Sequence, residues 1–207
     1  MKITVFGANG KVGRLVVEQL LAGGHEVTAF VHRSHAFAAH PSLAIAQGDI
    51  YNTGQVAAAV AGSQAVISAL GSWGTPKKDV LASATRNIIP AMQAAGITRI
   101  VSLTGADARA AGDTLSPIHR ITHLMISALA GKVLHDGEDH IRLLAASSLD
   151  WTVLRSPPMT GSTTHTYNLV QKRPMPWATV PRNAVATAMV DQLTKTDFLR
   201  QSPYIVK

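Results

Sequence analysis

This sequence predicts a doubly wound α/β fold, a parallel sheet covered by helices on both faces, and three observations predict it. The first is the opening. The apolar run Lys2-Ile3-Thr4-Val5-Phe6 leads into Gly7-Ala8-Asn9-Gly10-Lys11-Val12-Gly13, and then into the helical spacing of Leu15, Val16, Gln19 and Leu20. A strand, a glycine-rich turn and a helix in this order form a phosphate-binding βα unit. The second is the alternation of short apolar runs with helical stretches through the first half of the chain, the pattern of parallel strands joined by crossover helices. The third is composition: 46% hydrophobic and 15% charged residues over 207 positions support one sizeable core. A single Rossmann-like domain over residues 1–207 follows as the expectation.

The elements are read in order. Glu26 to Val31 is the second strand and Leu43 to Gln47 a short third. Val56 to Ala61 is helical, and Ala65 to Leu70 is a buried strand ending in small residues. Val80 to Ala95 forms a long helix with Ile88, Ile89 and Met92 on its apolar side, stopped by Gly96. Arg99 to Leu103 is the fifth strand, closed by Thr104-Gly105. Ala106 to Leu115 is an exposed loop. Pro117 opens a helix to about Ala130, and Asp136 to Ser147 forms another. Asp150 to Arg155 is a strand ended by Ser156-Pro157-Pro158. Gly161 to Pro176 crosses the top of the domain as an irregular segment, Asn183 caps a helix from Ala184 to Leu193, and Tyr204 to Val206 closes the sheet.

Bulk properties narrow the function. The chain has no cysteine, which excludes disulfides, thiolate nucleophiles and cysteine–metal sites. No apolar stretch approaches the ~20 residues of a membrane span, and Met1 leads straight into the first strand with no room for a signal peptide. Cytoplasmic residence without membrane association is the expectation. Net charge is +7, but the cations are scattered and no run of Lys and Arg exceeds two residues, as at Lys77-Lys78, so a clustered nucleic-acid face is not expected. An anionic cofactor accounts for part of that charge.

The glycine turn assigns the phosphate site. Gly7 permits the tight turn, Gly10 lets a pyrophosphate approach the backbone, and Gly13 lets the helix pack close to the strand. The helix N-terminus adds unpaired N–H groups and partial positive charge. An NAD site places an acid about 20 residues beyond the glycines, at the end of the second strand. Here that strand ends in Val31-His32-Arg33-Ser34, with no acid between Glu26 and Asp49. Arg33 can grip a 2′-phosphate bidentately, with Lys11 and Arg14 adding charge nearby. NADP(H) is therefore expected over NAD(H). Asp49 and Ile50, after the third strand, are placed to meet the adenine, although a turn role serves Asp49 equally. Ala69, Leu70 and Gly71 end the fourth strand where ligands bind in open α/β sheets.

Taken together these motifs resemble the atypical short-chain dehydrogenase/reductase superfamily, in particular the NAD(P)H-binding group containing flavin reductase/biliverdin-IXβ reductase and NmrA-like proteins. The resemblance is carried by residues 7–13, Gly48-Asp49, Val101 to Ala106, Asp139-His140-Ile141-Arg142 and Leu149 to Pro158. It implies that Thr104 and Gly105 border the nicotinamide and that Pro157, Pro158 and Met159 wall that end. It also implies hydride transfer to a small-molecule acceptor.

The departures bear on chemistry. Classical members use a Tyr-x-x-x-Lys pair, and none of Tyr51, Tyr167 and Tyr204 has a lysine four residues later. Flavin reductase relatives place a serine at Gly105 and a histidine at Met159. Transfer to a flavin N5 or a quinone needs mainly stacking of the acceptor, and water can supply the proton. Flavin enters this reading as substrate rather than bound cofactor. Thr104 and His140 are the candidate catalytic residues, with a solvated helix-face position as the plainer reading of His140. His119 and His123 have metal-ligand spacing, but with no third ligand evident no metal is expected. Two alternatives stay open: a non-catalytic NADP(H) sensor with a protein partner, and an epimerase-like enzyme on a nucleotide sugar.

Overall fold

The computed structural model describes residues 1–33 and 35–207, so Ser34 of the expected ribose-binding run lies outside the described residues. The elements are β1 Lys2–Phe6, α1 Lys11–Ala22, β2 Glu26–Val31, β3 Leu43–Gln47, α2 Thr53–Val60, β4 Ala65–Ser68, α3 Val80–Ala94, β5 Arg99–Gly105, α4 Pro117–Ala145, β6 Asp150–Ser156, β7 Met159–Thr160, β8 Asn168–Val170, β9 Val180–Pro181, α5 Arg182–Asp191 and β10 Tyr204–Val206. One sheet of eight strands runs β3-β2-β1-β4-β5-β6-β10-β8, parallel throughout except for β8 at the edge. This is the doubly wound, Rossmann-like architecture that the alternating pattern predicts. Strand order reverses between β1 and β4, which opens a crevice above their carboxyl ends.

Alternation along β1 divides the core. Ile3 and Val5 face α1 and α5, where Val16, Leu20, Val185 and Met189 are buried. Phe6 belongs to the opposite layer, with Ile88, Met92, Leu144 and Trp151 from α3, α4 and β6. The two faces of the sheet are therefore covered by unrelated helices.

Several boundaries differ from expectation for identifiable reasons. Helix α2 starts at Thr53 rather than Val56, because the Asn52 side chain accepts from the Gln55 N–H and caps it. Helix α5 begins at Arg182 with Pro181 at its N-cap, so Asn183 is already inside it and does not cap. The two helices expected over 117–130 and 136–147 form one run. Its break is confined to Ala130 (φ −141°, ψ 33°), beside Gly131, and Leu134 is buried within the second part. Residues 161–176 are not wholly irregular: Asn168–Val170 pairs antiparallel with β10, and β7 and β9, which flank the segment, pair in a separate two-stranded ladder. Helix α3 ends as predicted, with Gly96 at φ +70°. Its start is capped from α4: buried Asp136 accepts from the Leu81 and Ala82 N–H groups and from the Ser72 hydroxyl. No helix among the described residues is long and apolar enough to cross a membrane.

Candidate functional site

The turn after β1 is built around backbone contact. Gly7 sits at φ +74°, and a Cβ there would lie 2.7 Å from the Ala69 carbonyl just beyond β4. The Gly10 N–H donates to the Gly7 carbonyl at 2.9 Å. A Cβ on Gly13 would collide with that same carbonyl. Helix α1 therefore starts in contact with the strand end, and its N-cap, Gly10, supplies no side-chain cap. Ala8 and Val12 point into the core, so they serve the site through their backbone; Asn9 and Lys11 are exposed. Arg14, expected to add charge, is engaged with the Asn9 carbonyl and side chain (Nε 3.1 Å, Nη2 2.7 Å).

Above this turn lies a cavity of about 650 Å³, lined by Gly7, Asn9, Gly10, Arg33, Asp49, Ile50 and Leu70 among the residues predicted from sequence. Ala8, Lys11, Val12, Gly13, Ala69, Gly71, Thr104, Gly105, Pro157, Pro158 and Met159 do not line it. The structure adds Phe30, His32, Tyr51, Thr75, Pro76, Lys77 and Val80, which the sequence reading missed. Three of these, Thr75, Pro76 and Lys77, belong to the loop between β4 and α3, where the Lys77-Lys78 pair was the available signal. Lys77 Nζ sits 3.6 Å from the centroid of the Tyr51 ring. Tyr51 in turn donates to Asp79 at 3.0 Å, and its hydroxyl is pushed up to about 12 by burial and by that carboxylate. Asp49 accepts from the Tyr51 N–H with Oδ1, so it is both a turn residue and part of the cavity wall.

The strand ends toward β6 enclose a second, open region. Added Cβ atoms at Gly71 and Gly105 would meet nothing within 4 Å. Gly105 stands opposite Ser156 in register. Thr104 is buried under α4, where a Cβ on Gly137 would lie 2.6 Å from its hydroxyl. Pro157 is buried, Pro158 is exposed, and half-buried Met159 packs on the α1/α5 core. The fit for a dinucleotide is good: a glycine cradle whose Cβ positions are occupied, a cavity that has Arg33 and Lys77 in its lining, and open space at Gly71 and Gly105.

His140 is neither solvated nor at the mouth. It is 1% exposed, with Nδ1 2.6 Å from Thr85 Oγ1 and Nε2 2.8 Å from Ser102 Oγ. Thr85 donates its own proton to the Leu81 carbonyl, so the network assigns the Nδ1–H to His140 and leaves Nε2 to accept from Ser102. Burial pushes its pKa down to about 4. A neutral ring with both nitrogens committed is a core group, and the proton-donor reading is corrected accordingly.

The histidine pair on α4 also diverges. His119 is bonded to Ser116 (2.8 Å) and the Pro174 carbonyl (3.1 Å), whereas His123 Nε2 faces Glu138 at 4.0 Å. A tyrosine–lysine pair does form in space: Lys195 Nζ lies 3.3 Å from the Tyr167 hydroxyl. Yet Tyr167 donates to Asp191 at 2.6 Å, its pKa is raised by burial and then by that bond, and it lines no part of the cofactor cavity. A proton-donating catalytic tyrosine requires the opposite shift.

The fold, the crevice at its strand reversal and the glycine cradle define a Rossmann-like nucleotide-binding protein. Comparison makes this specific. The chain belongs to the NAD(P)H-binding family, whose model matches residues 7–196. It is 34% identical over 149 residues to a 2-alkyl-3-oxoalkanoate reductase of Stenotrophomonas maltophilia, covering 67% of this chain and 41% of that protein. Across the curated relatives it matches, the chain spans 30–58% of their length. Among solved structures it is similar in fold to a short-chain dehydrogenase/reductase of Veillonella parvula in complex with NADP (TM-score 0.80, 19% identity, 100% of this chain and 94% of that one). It is also similar in fold to ChuY, an anaerobillin reductase of Escherichia coli O157:H7 (TM-score 0.79, 21% identity, 100% and 97%).

Proposed function

We propose that this protein is an NADPH-dependent reductase acting on a flavin, a quinone or a similar conjugated small molecule. The observation that carries the reading is the pairing of a complete dinucleotide cradle with an open strand-end region lacking an acid–base tyrosine. Bound NADPH supplies a hydride at its nicotinamide C4. The chain's part is to hold and orient: backbone N–H groups in the first turn of α1, past Gly10, take the pyrophosphate, and Arg33 takes the 2′-phosphate. The open space at Gly71 and Gly105 leaves the acceptor room to stack on the ring. With His140 sealed and Tyr167 tied to Asp191, the proton comes from water reaching that space. The reductase named among the curated relatives supports a redox role, and the NADP complex of the Veillonella protein supports the cofactor.

A second reading, an NADP(H)-responsive binder acting through a protein partner, has one observation in its favour. Ile121, Leu124, Met125 and Leu129 on the first part of α4 are 57–85% exposed, an apolar face suited to docking. Loss of NADPH absorbance with FMN, riboflavin and a small quinone tests the first reading. Turnover that depends on the acceptor and falls in Arg33→Ala supports it. Tight NADPH binding with no turnover on any acceptor overturns it and favours the binder.

A further inference from the structure

The acceptor side holds a second cavity that the cofactor does not use. It measures about 610 Å³, lies between the 106–115 loop and the first part of α4, and is lined in part by Arg109, Arg120, His123 and Ser127. Its position follows from a short chain of contacts. Thr104 ends β5 beneath Gly137, and the next residue, Glu138, accepts from the Arg109 N–H at 3.3 Å and faces His123 at 4.0 Å. Gly137 and Glu138 thus stand between Thr104 and the cavity-lining residues Arg109 and His123.

Its cations are uncommitted. Among the described residues, the guanidinium groups of Arg109 and Arg120 have no hydrogen bond or ion pair, and His123 Nδ1 is buried without a partner. The acids nearby already have partners. Asp113, in the lining itself, pairs with buried Arg155, and Glu138 accepts from the Arg109 N–H and faces both His135 and the cavity's own His123. Elsewhere in the fold the arginines nearest this loop are matched: Arg155 with Asp113, and Arg173 with Asp107. Two exposed guanidiniums without a protein partner and an imidazole nitrogen without one line the same cavity, a donor set suited to planar, multidentate oxyanions.

We infer that this cavity receives an anionic group, a phosphate or a carboxylate, carried by the acceptor, with Arg109 and Arg120 as its specificity-determining residues. The inference rests on the reductase reading for the word acceptor, but the anion site itself is open to direct measurement. Matched probes that differ only in charge decide it: FMN against riboflavin, titrated by flavin fluorescence into the full chain saturated with NADP⁺.

The expected result is FMN binding about 10- to 100-fold more tightly than riboflavin, the range of a charge-assisted contact, with the preference weakening as salt rises. Arg109→Gln and Arg120→Gln should each bring FMN toward the affinity of riboflavin, in variants whose melting shows them folded. Equal affinity for the two flavins, a preference that survives both substitutions, or failure of both flavins to bind overturns the inference. Steady-state turnover separates the two claims. Turnover of riboflavin and FMN with equal KM leaves the reductase reading standing and removes the anion site. FMN preference in binding without turnover on any acceptor does the reverse for the reductase, and supports an anion site in the binder.

Discussion

The two halves of the ligand crevice are built on different principles. At the turn after β1 the floor is backbone: Gly7 touches Ala69, Gly13 touches Gly7, and the uncapped start of α1 is a property of the helix itself, with side chains such as Phe30 and Tyr51 added above it. Over β5 and β6 the walls are side chains from a loop and a long helix: Arg109, Arg120, His123, and Thr104 under Gly137. A backbone wall admits few residue types, so it constrains the sequence tightly. A side-chain wall tolerates many, which is why one cradle serves relatives with different acceptors.

The sharpest way to break this contrast is to fill the cradle. Gly13→Val drives two methyl groups into the Gly7 carbonyl, and should cost about 3 kcal/mol of stability and abolish NADPH binding. Chemical denaturation and NADPH titration check both. A comparable substitution on the other side, Gly105→Ser, meets open space and should leave melting within about 0.5 kcal/mol of the parent.

His140 gives a pH test of the same contrast, because it belongs to the core rather than to the acceptor side. Its folded pKa is about 4 against 6.5 for an ordinary histidine. Above 6.5 neither state binds the proton. As pH falls from 6.5 toward 4 the unfolded chain binds it first, so stability is lost across that window, by up to about 3 kcal/mol. His140→Leu should flatten that part of the stability–pH profile. A profile of the variant as steep as the parent's would place the lost stability elsewhere.

Smaller effects separate the two cations of the cofactor cavity. Arg33→Ala should weaken NADPH by about 10- to 100-fold and leave NADH nearly unchanged, read by equilibrium titration of each. Lys77→Ala removes the cation from the Tyr51 face and should weaken both cofactors by about two- to fivefold. Equal losses of NADPH and NADH in Arg33→Ala would move the 2′-phosphate to another group, and Lys77 is the next cation in that cavity.

Legibility in the sequence followed the same divide. The strands through β6 and the helices α1 and α3 were readable because periodicity and Gly96 act locally. Of the residues singled out at the first three strand ends, Gly7, Asn9, Gly10, Arg33, Asp49 and Ile50 line one cavity, because the glycine turn and the ends of β2 and β3 are local patterns that parallel pairing brings together. What escaped was set by distance. The cap on α3 comes from Asp136, more than fifty positions away, and β8 exists only because β10 offers it an edge. His140 reads as a helix-face residue until Thr85 and Ser102 are brought onto its two nitrogens. Lys77 and Tyr51 meet across a loop that no local pattern places.

Asp136 has a consequence for where a phosphate can sit. Two helices, α1 and α3, begin after strands that flank the reversal point, and each beginning carries partial positive charge. At α3 a carboxylate of the chain itself already occupies the exposed N–H groups, together with Ser72. At α1 no side chain does so. The molecule has plugged one of its two sockets from within, and a dinucleotide arriving at the crevice finds a single seat, hence a single orientation along the sheet.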